Sequence, residues 1–247
     1  MTPGAPSHPR YNRVLLKLSG EVLSGGRGFG IETAAVDGIA RQVADGYALG
    51  VQLALVVGGG NIIRGSQASR DGAERAVADY MGMLATLINA LALQQALERI
   101  GLDTRLQSAI TVQSVAEMFI RRRAIRHLEK GRIVILAAGT GNPYFSTDTA
   151  SVLRALELGA DALLKATKVD GVYDKDPMAH PEAKKYDSLT YDQAIEQQLA
   201  VMDQTAFTMC REHSLPIVVF ALNEPSAIRR ALLGEPIGTT VGGQSNG

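Results

Sequence analysis

Leu53-Ala54-Leu55-Val56-Val57-Gly58-Gly59-Gly60-Asn61-Ile62-Ile63-Arg64 is an unbroken apolar run that stops at three glycines. A run of this length, without alternation and ending in β-branched residues, predicts a strand buried on both faces, the usual case in a parallel sheet. Three glycines remove every Cβ from the strand's carboxyl end. They free the backbone for conformations that other residues avoid, and they let N–H groups approach a ligand closely. Ligands of open α/β sheets bind at that edge. Bare amides followed by Arg64 suit an anion, phosphate above all. A tight turn that needs glycine only for its dihedrals is the competing reading, and three in succession weigh against it.

Outward from this stretch the pattern repeats. Val14-Leu15-Leu16-Lys17-Leu18-Ser19 is an apolar run with one lysine, a first strand closed by Gly20. Residues 32–49 have helical spacing and Gly50 as their stop. Residues 72–100 form a long helix, apolar on nearly all sides between Met81 and Leu97. Such a helix is buried, and part of that burial could come from another subunit. A short strand over 104–106 and one or two helices over 112–129 follow. Residues 133–138 are a further buried strand that runs into Gly139-Thr140-Gly141-Asn142-Pro143. The helix over 147–158 has Ser146 or Thr147 as its N-cap and Asp148 in its first turn. A strand over 162–166 leads to a loop over 169–185. Helices over 190–199 and 205–213, a strand over 217–220, a helix over 225–233 and a short strand over 239–241 complete the chain. Strands alternating with helices predict an α/β protein with a mostly parallel sheet covered on both faces.

Composition limits the function classes. The chain has 247 residues, 46% apolar and 20% charged, enough for a large core. Lys+Arg and Asp+Glu both number 25, so no net charge argues for nucleic acid or an anionic membrane. The single cysteine, Cys210, excludes an internal disulfide, suits a reducing cytoplasm and reads as a buried inert thiol. Residues 1–10 read as a flexible tail without a signal peptide, and 11–247 as a single domain. No charge-free window reaches membrane-spanning length.

Four strand ends carry chemistry. They are Lys17-Leu18-Ser19-Gly20; the glycines at 58–60 with Arg64; the stretch from Gly139 to Asp148; and Lys165-Ala166-Thr167-Lys168-Val169-Asp170-Gly171-Val172-Tyr173-Asp174-Lys175-Asp176-Pro177. In a parallel sheet these ends share one edge. Amides and cations there suit a transferring phosphoryl group, and acids orient lysines or a metal. Lys17 inside an apolar strand requires an anionic partner. Asp148 could be only a first-turn helix acid, Asp203 a helix cap, and Asp174 and Asp176 turn residues. No Walker A motif, dinucleotide fingerprint, protein-kinase signature or His/Cys metal spacing is present. The basic stretch Phe119-Ile120-Arg121-Arg122-Arg123-Ala124-Ile125-Arg126 reads as a solvated helix face or a subunit contact.

Lys17-Leu18-Ser19-Gly20-Glu21, the 58–64 stretch, Asp79-Tyr80-Met81-Gly82-Met83-Leu84-Ala85-Thr86, Gly139-Thr140-Gly141-Asn142-Pro143-Tyr144-Phe145-Ser146-Thr147-Asp148 and the 165–173 stretch resemble the bacterial uridylate (UMP) kinases of the amino acid kinase superfamily, over about residues 12–241. The resemblance implies a three-layer αβα sandwich and transfer of the ATP γ-phosphoryl to UMP with Mg²⁺. It also implies a cytoplasmic homohexamer activated by GTP and inhibited by UTP. By the same resemblance Lys17, Leu18, Ser19, Gly20, Gly60 and Arg64 would contact ATP phosphates, and Thr167, Tyr173 and Asp176 its nucleoside. Gly59, Asp79 and Thr140, Gly141, Asn142, Pro143, Tyr144, Phe145, Ser146 and Thr147 would bind UMP. Lys17 and Lys165 would neutralise the phosphoryl in flight, and Asp148 and Asp203 would orient lysines or the metal, which ATP itself would carry. Gly25, Gly26, Arg27, Gly28, Phe29 and Gly30 would serve GTP activation. Two other readings remain on the same fold: a kinase for a carboxylate or carbamate, and a non-catalytic nucleotide-binding or storage protein.

Overall fold

The computed structural model describes residues 8–63, 72–199 and 201–242. Arg64 and most of the expected tail lie outside the described residues. The main sheet is built from strands β1 (Arg13–Leu18), β2 (Gln52–Val57), β3 (Thr104–Ser108), β4 (Glu117–Met118), β5 (Ile133–Ala137), β6 (Ala162–Thr167), and, after two short strands, β9 (Ser188–Leu189), β10 (Ile217–Ala221) and β11 (Gly238–Val241). Their spatial order is β4-β3-β5-β2-β1-β6-β10-β11-β9, parallel throughout except for β10 against β11. The chain thus winds outward from β1 in both directions, and the ends of β1, β2, β5 and β6 lie side by side.

Alternation along each central strand divides the core. Val14, Leu16 and Leu18 of β1 face one side with Leu53, Leu55 and Val57 of β2. There they meet helices α1 (Thr33–Tyr47), α2 (Arg75–Arg99) and, late in the chain, Ala227–Leu233. Leu15, Ala54, Val56 and Leu163 face the other side, under α3 (Arg121–Glu129), α4 (Thr147–Leu158), α5 (Tyr191–Glu196) and α6 (Gln204–Glu212). Ala227–Leu233 is α7. Both faces being dry explains why these strands read as continuous apolar runs rather than alternating ones.

Three expectations are corrected. Residues 112–120 are not helical. Their apolar spacing makes a single turn at 112–116, and the backbone then pairs beside β3 as β4. The 169–185 segment is not a featureless loop, because β7 (Val172–Tyr173) and β8 (Lys185–Tyr186) form a small antiparallel ribbon. Two-residue strands are too short to show a period. Finally, α2 is buried on one side only. Ala78, Ala85, Ala90 and Leu93 pack inward, whereas Val77, Tyr80, Met81, Leu84 and Ile88 stand exposed along the opposite face. This helix is long and apolar enough to cross a membrane by composition, with a mean hydropathy of 1.5 over its best window. Its inner face is nevertheless part of the core shared with α1 and the sheet.

Candidate active site

Strand order builds the centre of the site. β1 and β6 are parallel neighbours with Lys17 directly beside Lys165. Alternation puts both lysines on the face covered by α4. The first turn of α4 lies over them and supplies Asp148. Lys165 Nζ donates to Asp148 Oδ2 at 2.7 Å, and Lys17 Nζ lies 2.9 Å from Oδ1. The Lys17 contact is a charge contact outside hydrogen-bond geometry, so Oδ1 has no hydrogen bond of its own. Lys165 Nζ also donates to the Val201 carbonyl. Both ammonium groups are buried. Two cations on one carboxylate leave the trio one positive charge in excess, in a mostly buried place, and an incoming anion supplies the balance.

The titration of the trio follows from this crowding. Burial alone would raise the Asp148 carboxyl, but Lys17 and Lys165 outweigh it and hold that group below the ordinary carboxylate range. Burial pushes Lys165 down from 10.5 to about 8, against the pull of Asp148 and with a further push from Lys17. The charged form of Lys165 is therefore lost as pH rises through about 8. Turnover that depends on this cation is expected to show an alkaline limb in kcat/KM near that pH in the free protein. A pH profile flat to pH 10 would contradict it. For stability the sign is opposite: between about 8 and 10.5 the unfolded chain holds a proton that the folded chain has released. Lys165 therefore makes stability rise with pH in that window.

The glycines act by close approach. Gly58 N donates to Leu18 O at 2.9 Å, which draws the ends of β1 and β2 together. A Cβ on Gly20 would lie 2.6 Å from both Asn61 Oδ1 and Gly58 O. One on Gly59 would lie 2.9 Å from Ala85 Cβ and Gly82 O. Neither Gly58 nor Gly59 has a positive φ, so it is space that glycine supplies here, not dihedral freedom.

Beside the trio lies a cavity of about 490 Å³. Gly59, Asp79, Thr140, Asn142, Tyr144, Phe145, Ser146 and Thr147, all expected at UMP, line it, and so does Gly60, expected at the ATP phosphates. Gly141 and Pro143 belong to the loop but not to the wall. Gly141 (φ 83°) passes 2.9 Å from Ala109 O by its would-be Cβ, so its task is packing. Asp79 accepts from Tyr144 N at 2.7 Å and pairs with Arg75. Asp203 also lines the cavity, but it does not touch the lysines. It caps α6 through Ala206 N and accepts from the hydroxyls of Ser146 and Thr149. Its position is that of a brace between two helix starts.

Sequence reading missed Arg75, Met83, Thr86 and Thr149 in this wall. Arg75, Asp79, Met83 and Thr86 stand four, four and three residues apart on α2, so helical spacing from Asp79 would have found them. Thr86 has a particular task. Its hydroxyl donates to Met83 O at 2.7 Å and accepts from Ala138 N at 2.8 Å. Ala138 sits at φ 63°, a left-handed conformation that costs a non-glycine residue about 1 kcal/mol. Thr86 thus pins a strained turn at the mouth of the cavity. Thr86→Val is expected to leave the Ala138 amide unpaired and cost about 1–3 kcal/mol, with a raised KM for the ligand of this cavity. Urea midpoints and initial rates check both, and a variant unchanged in each would remove Thr86 from the site.

A second cavity, of about 380 Å³, lies on the other flank of the trio, between the 169–177 segment and Gln197, Gln198, Leu199 and Val201. Tyr173 and Asp176 line it as expected, together with Val201, whose carbonyl holds Lys165. Tyr173 is aimed by Asp170, whose Oδ1 accepts its hydroxyl at 2.6 Å. Thr167 lies instead at a third cavity, of about 450 Å³, with Glu21, Gly25 and Lys168. The glycine-rich segment is part of a 3₁₀ stretch, Gly20–Arg27, broken at Gly25. Gly26 N is held there by Glu32 Oε2 at 3.1 Å.

A dry cationic centre at a parallel-sheet edge, with a cavity on each flank, defines an α/β protein that brings two anionic ligands together. The family model for the amino acid kinase family matches residues 12–221, and the chain belongs to that family. Among solved structures it is similar to a UMP kinase from Bacillus anthracis (40% identity, TM-score 0.90, covering 94% of this chain and 96% of that one). It is similar also to a UMP kinase from Ureaplasma parvum (36%, TM-score 0.88, covering 95% and 100%). A uridylate kinase from Archaeoglobus fulgidus matches as well (30%, TM-score 0.72, covering 92% and 99%).

Proposed function

We propose that this chain is a UMP kinase that moves the γ-phosphoryl of ATP to UMP, giving UDP and ADP. The observation that carries the reading is the Lys17–Asp148–Lys165 trio between two cavities. UMP occupies the larger cavity and ATP the one at Tyr173, as the resemblance to UMP kinases implies. A UMP phosphate oxygen attacks the γ-phosphorus while the bond to the β–γ bridging oxygen breaks. The attacking UMP oxygen is already anionic at neutral pH, so no strong general base is required, and the bridging oxygen leaves as part of the ADP β-phosphate. The barrier is the meeting of two anions, which the two lysines lower by charge. Asp148 aims both ammonium groups and opposes the loss of the Lys165 proton. Among the described residues no three carboxylate, His or Cys groups gather as a metal site. The resemblance implies Mg²⁺ carried by the phosphates of ATP, where it would shield their charge.

Two further parts of the reading rest on the resemblance alone: activation by GTP through the 25–30 segment and inhibition by UTP. A cytoplasmic setting rests on the resemblance and on the single cysteine. A homohexamer is part of the same reading. It is supported by the apolar stripe of Tyr80, Met81, Leu84 and Ile88, a face suited to a second copy.

The test is ADP production from MgATP against UMP, CMP, dTMP, AMP, aspartate, acetylglutamate and carbamate, each with and without GTP. UMP dependence supports the reading, and a GTP increment supports the effector. Activity only with a carboxylate or carbamate keeps the fold and discards the uridine acceptor. No activity from folded protein makes it a nucleotide-binding or storage protein.

A further inference from the structure

We infer that Asn61 and Asn89 form a positioning pair that sets the glycine turn at 58–60 against the transferring phosphoryl, an inference that rests on the kinase reading above. The two carboxamides face each other in the dry interior, 1% and 0% exposed. Asn89 Nδ2 donates to Asn61 Oδ1 at 2.6 Å and to Gly58 O at 2.7 Å. Asn61 Nδ2 donates to Asn89 Oδ1 at 3.1 Å and to Gly30 O at 2.7 Å. Each Nδ2 has two hydrogens, and each finds two acceptors, so all four donors are used. Turning either amide over would set oxygen against a carbonyl, so the network admits one orientation.

The placement gives this pair its function. Glycines have no side chains with which to anchor a turn. Gly58 O, at the end of β2, is held instead by Asn89 from the middle of α2. Asn61 Oδ1 lies 2.6 Å from where a Cβ on Gly20 would fall, so the pair also lies against the turn after β1, next to Ser19. The Gly30 N–H to Asn61 O bond at 2.7 Å ties in the segment that follows the 3₁₀ stretch. The same helix α2 contributes Asp79, Met83 and Thr86 to the acceptor wall. The pair therefore fixes the spacing between the acceptor's wall and the glycine turn. Neither side chain is in the wall of the UMP or the ATP cavity described above, so the pair acts on alignment and leaves ligand binding to other groups. A buried amide pair of this kind holds one geometry when complete and loses it when half is removed.

The experiment compares Asn61→Ala, Asn89→Ala and the double variant in steady-state kinetics with MgATP and UMP, with ADP and UMP binding by calorimetry on each. Misplacing a reacting group by about 1 Å costs up to about 10²-fold in rate, so each single variant is expected to lose about tenfold or more in kcat. Binding of ADP and UMP is expected to stay within about threefold, because alignment rather than contact is lost. The double variant is expected to lose little more than the worse single one, since either change removes the same unit. Asn61→Ala keeps the Asn89–Gly58 bond and carries the test if Asn89→Ala does not fold. Wild-type kcat in Asn61→Ala, losses that appear as weaker binding at unchanged kcat, or losses that multiply in the double variant would each overturn the inference. Failure of the kinase reading would show differently, as wild-type protein inactive with UMP.

Discussion

Lys17→Ala is expected to lower kcat for UDP formation by roughly 10²–10³, the range seen when one preorganised charge or donor is removed from a transition state. The trio would fall from one net positive charge to none, because Lys165 would remain paired with Asp148. The phosphoryl in flight would then meet a neutral centre. The fold should persist, since Leu16 and Leu18 of the same strand keep their places in the core. Initial rates at saturating MgATP and UMP, with circular dichroism as the control, measure it. A folded variant with wild-type kcat would remove Lys17 from the chemistry.

Asp148→Asn is expected to have the largest effect on stability. Two buried ammonium groups in register on neighbouring strands would lose their only shared anion. Removing one partner of a buried ion pair costs about 3–5 kcal/mol, because the remaining charge stays buried and uncompensated. The variant has an internal check. Without the carboxylate, Lys165 would move further below about 8. The destabilisation would therefore shrink as pH rises and Lys165 sheds its proton. Urea titrations at pH 7 and pH 9 read both quantities. A midpoint equal to wild type at pH 7, or a penalty that grows with pH, would contradict the account.

Much of this was legible in the residues. β1, β2, β5, β6 and β10 announced themselves as continuous apolar runs because both sheet faces are covered. The Ser146 cap and the first-turn acid of α4 follow from local rules that need no tertiary partner. The pairing of Lys17 with Lys165 did not follow. It depends on β1 lying next to β6, and nothing local specifies that strand order. Asp203 showed the same limit from the other side: a cap and a site acid look alike until the neighbouring hydroxyls of Ser146 and Thr149 are in place. Val112, Val115 and Ala116 carried a helical spacing that one turn consumes before the chain turns into β4. The glycines at 58 and 59 were legible as the close of a strand. Their reason, the close approach of Gly20 and of α2, required the fold.

The most direct test of the central claim is phosphorus NMR of MgATP and UMP incubated with the wild-type chain. The account predicts that the ATP γ-phosphate signal declines as the β-phosphate of UDP grows in equal amount. It also predicts that Lys17→Ala slows both together. Loss of the γ-phosphate as inorganic phosphate, or spectra unchanged by UMP, would contradict it.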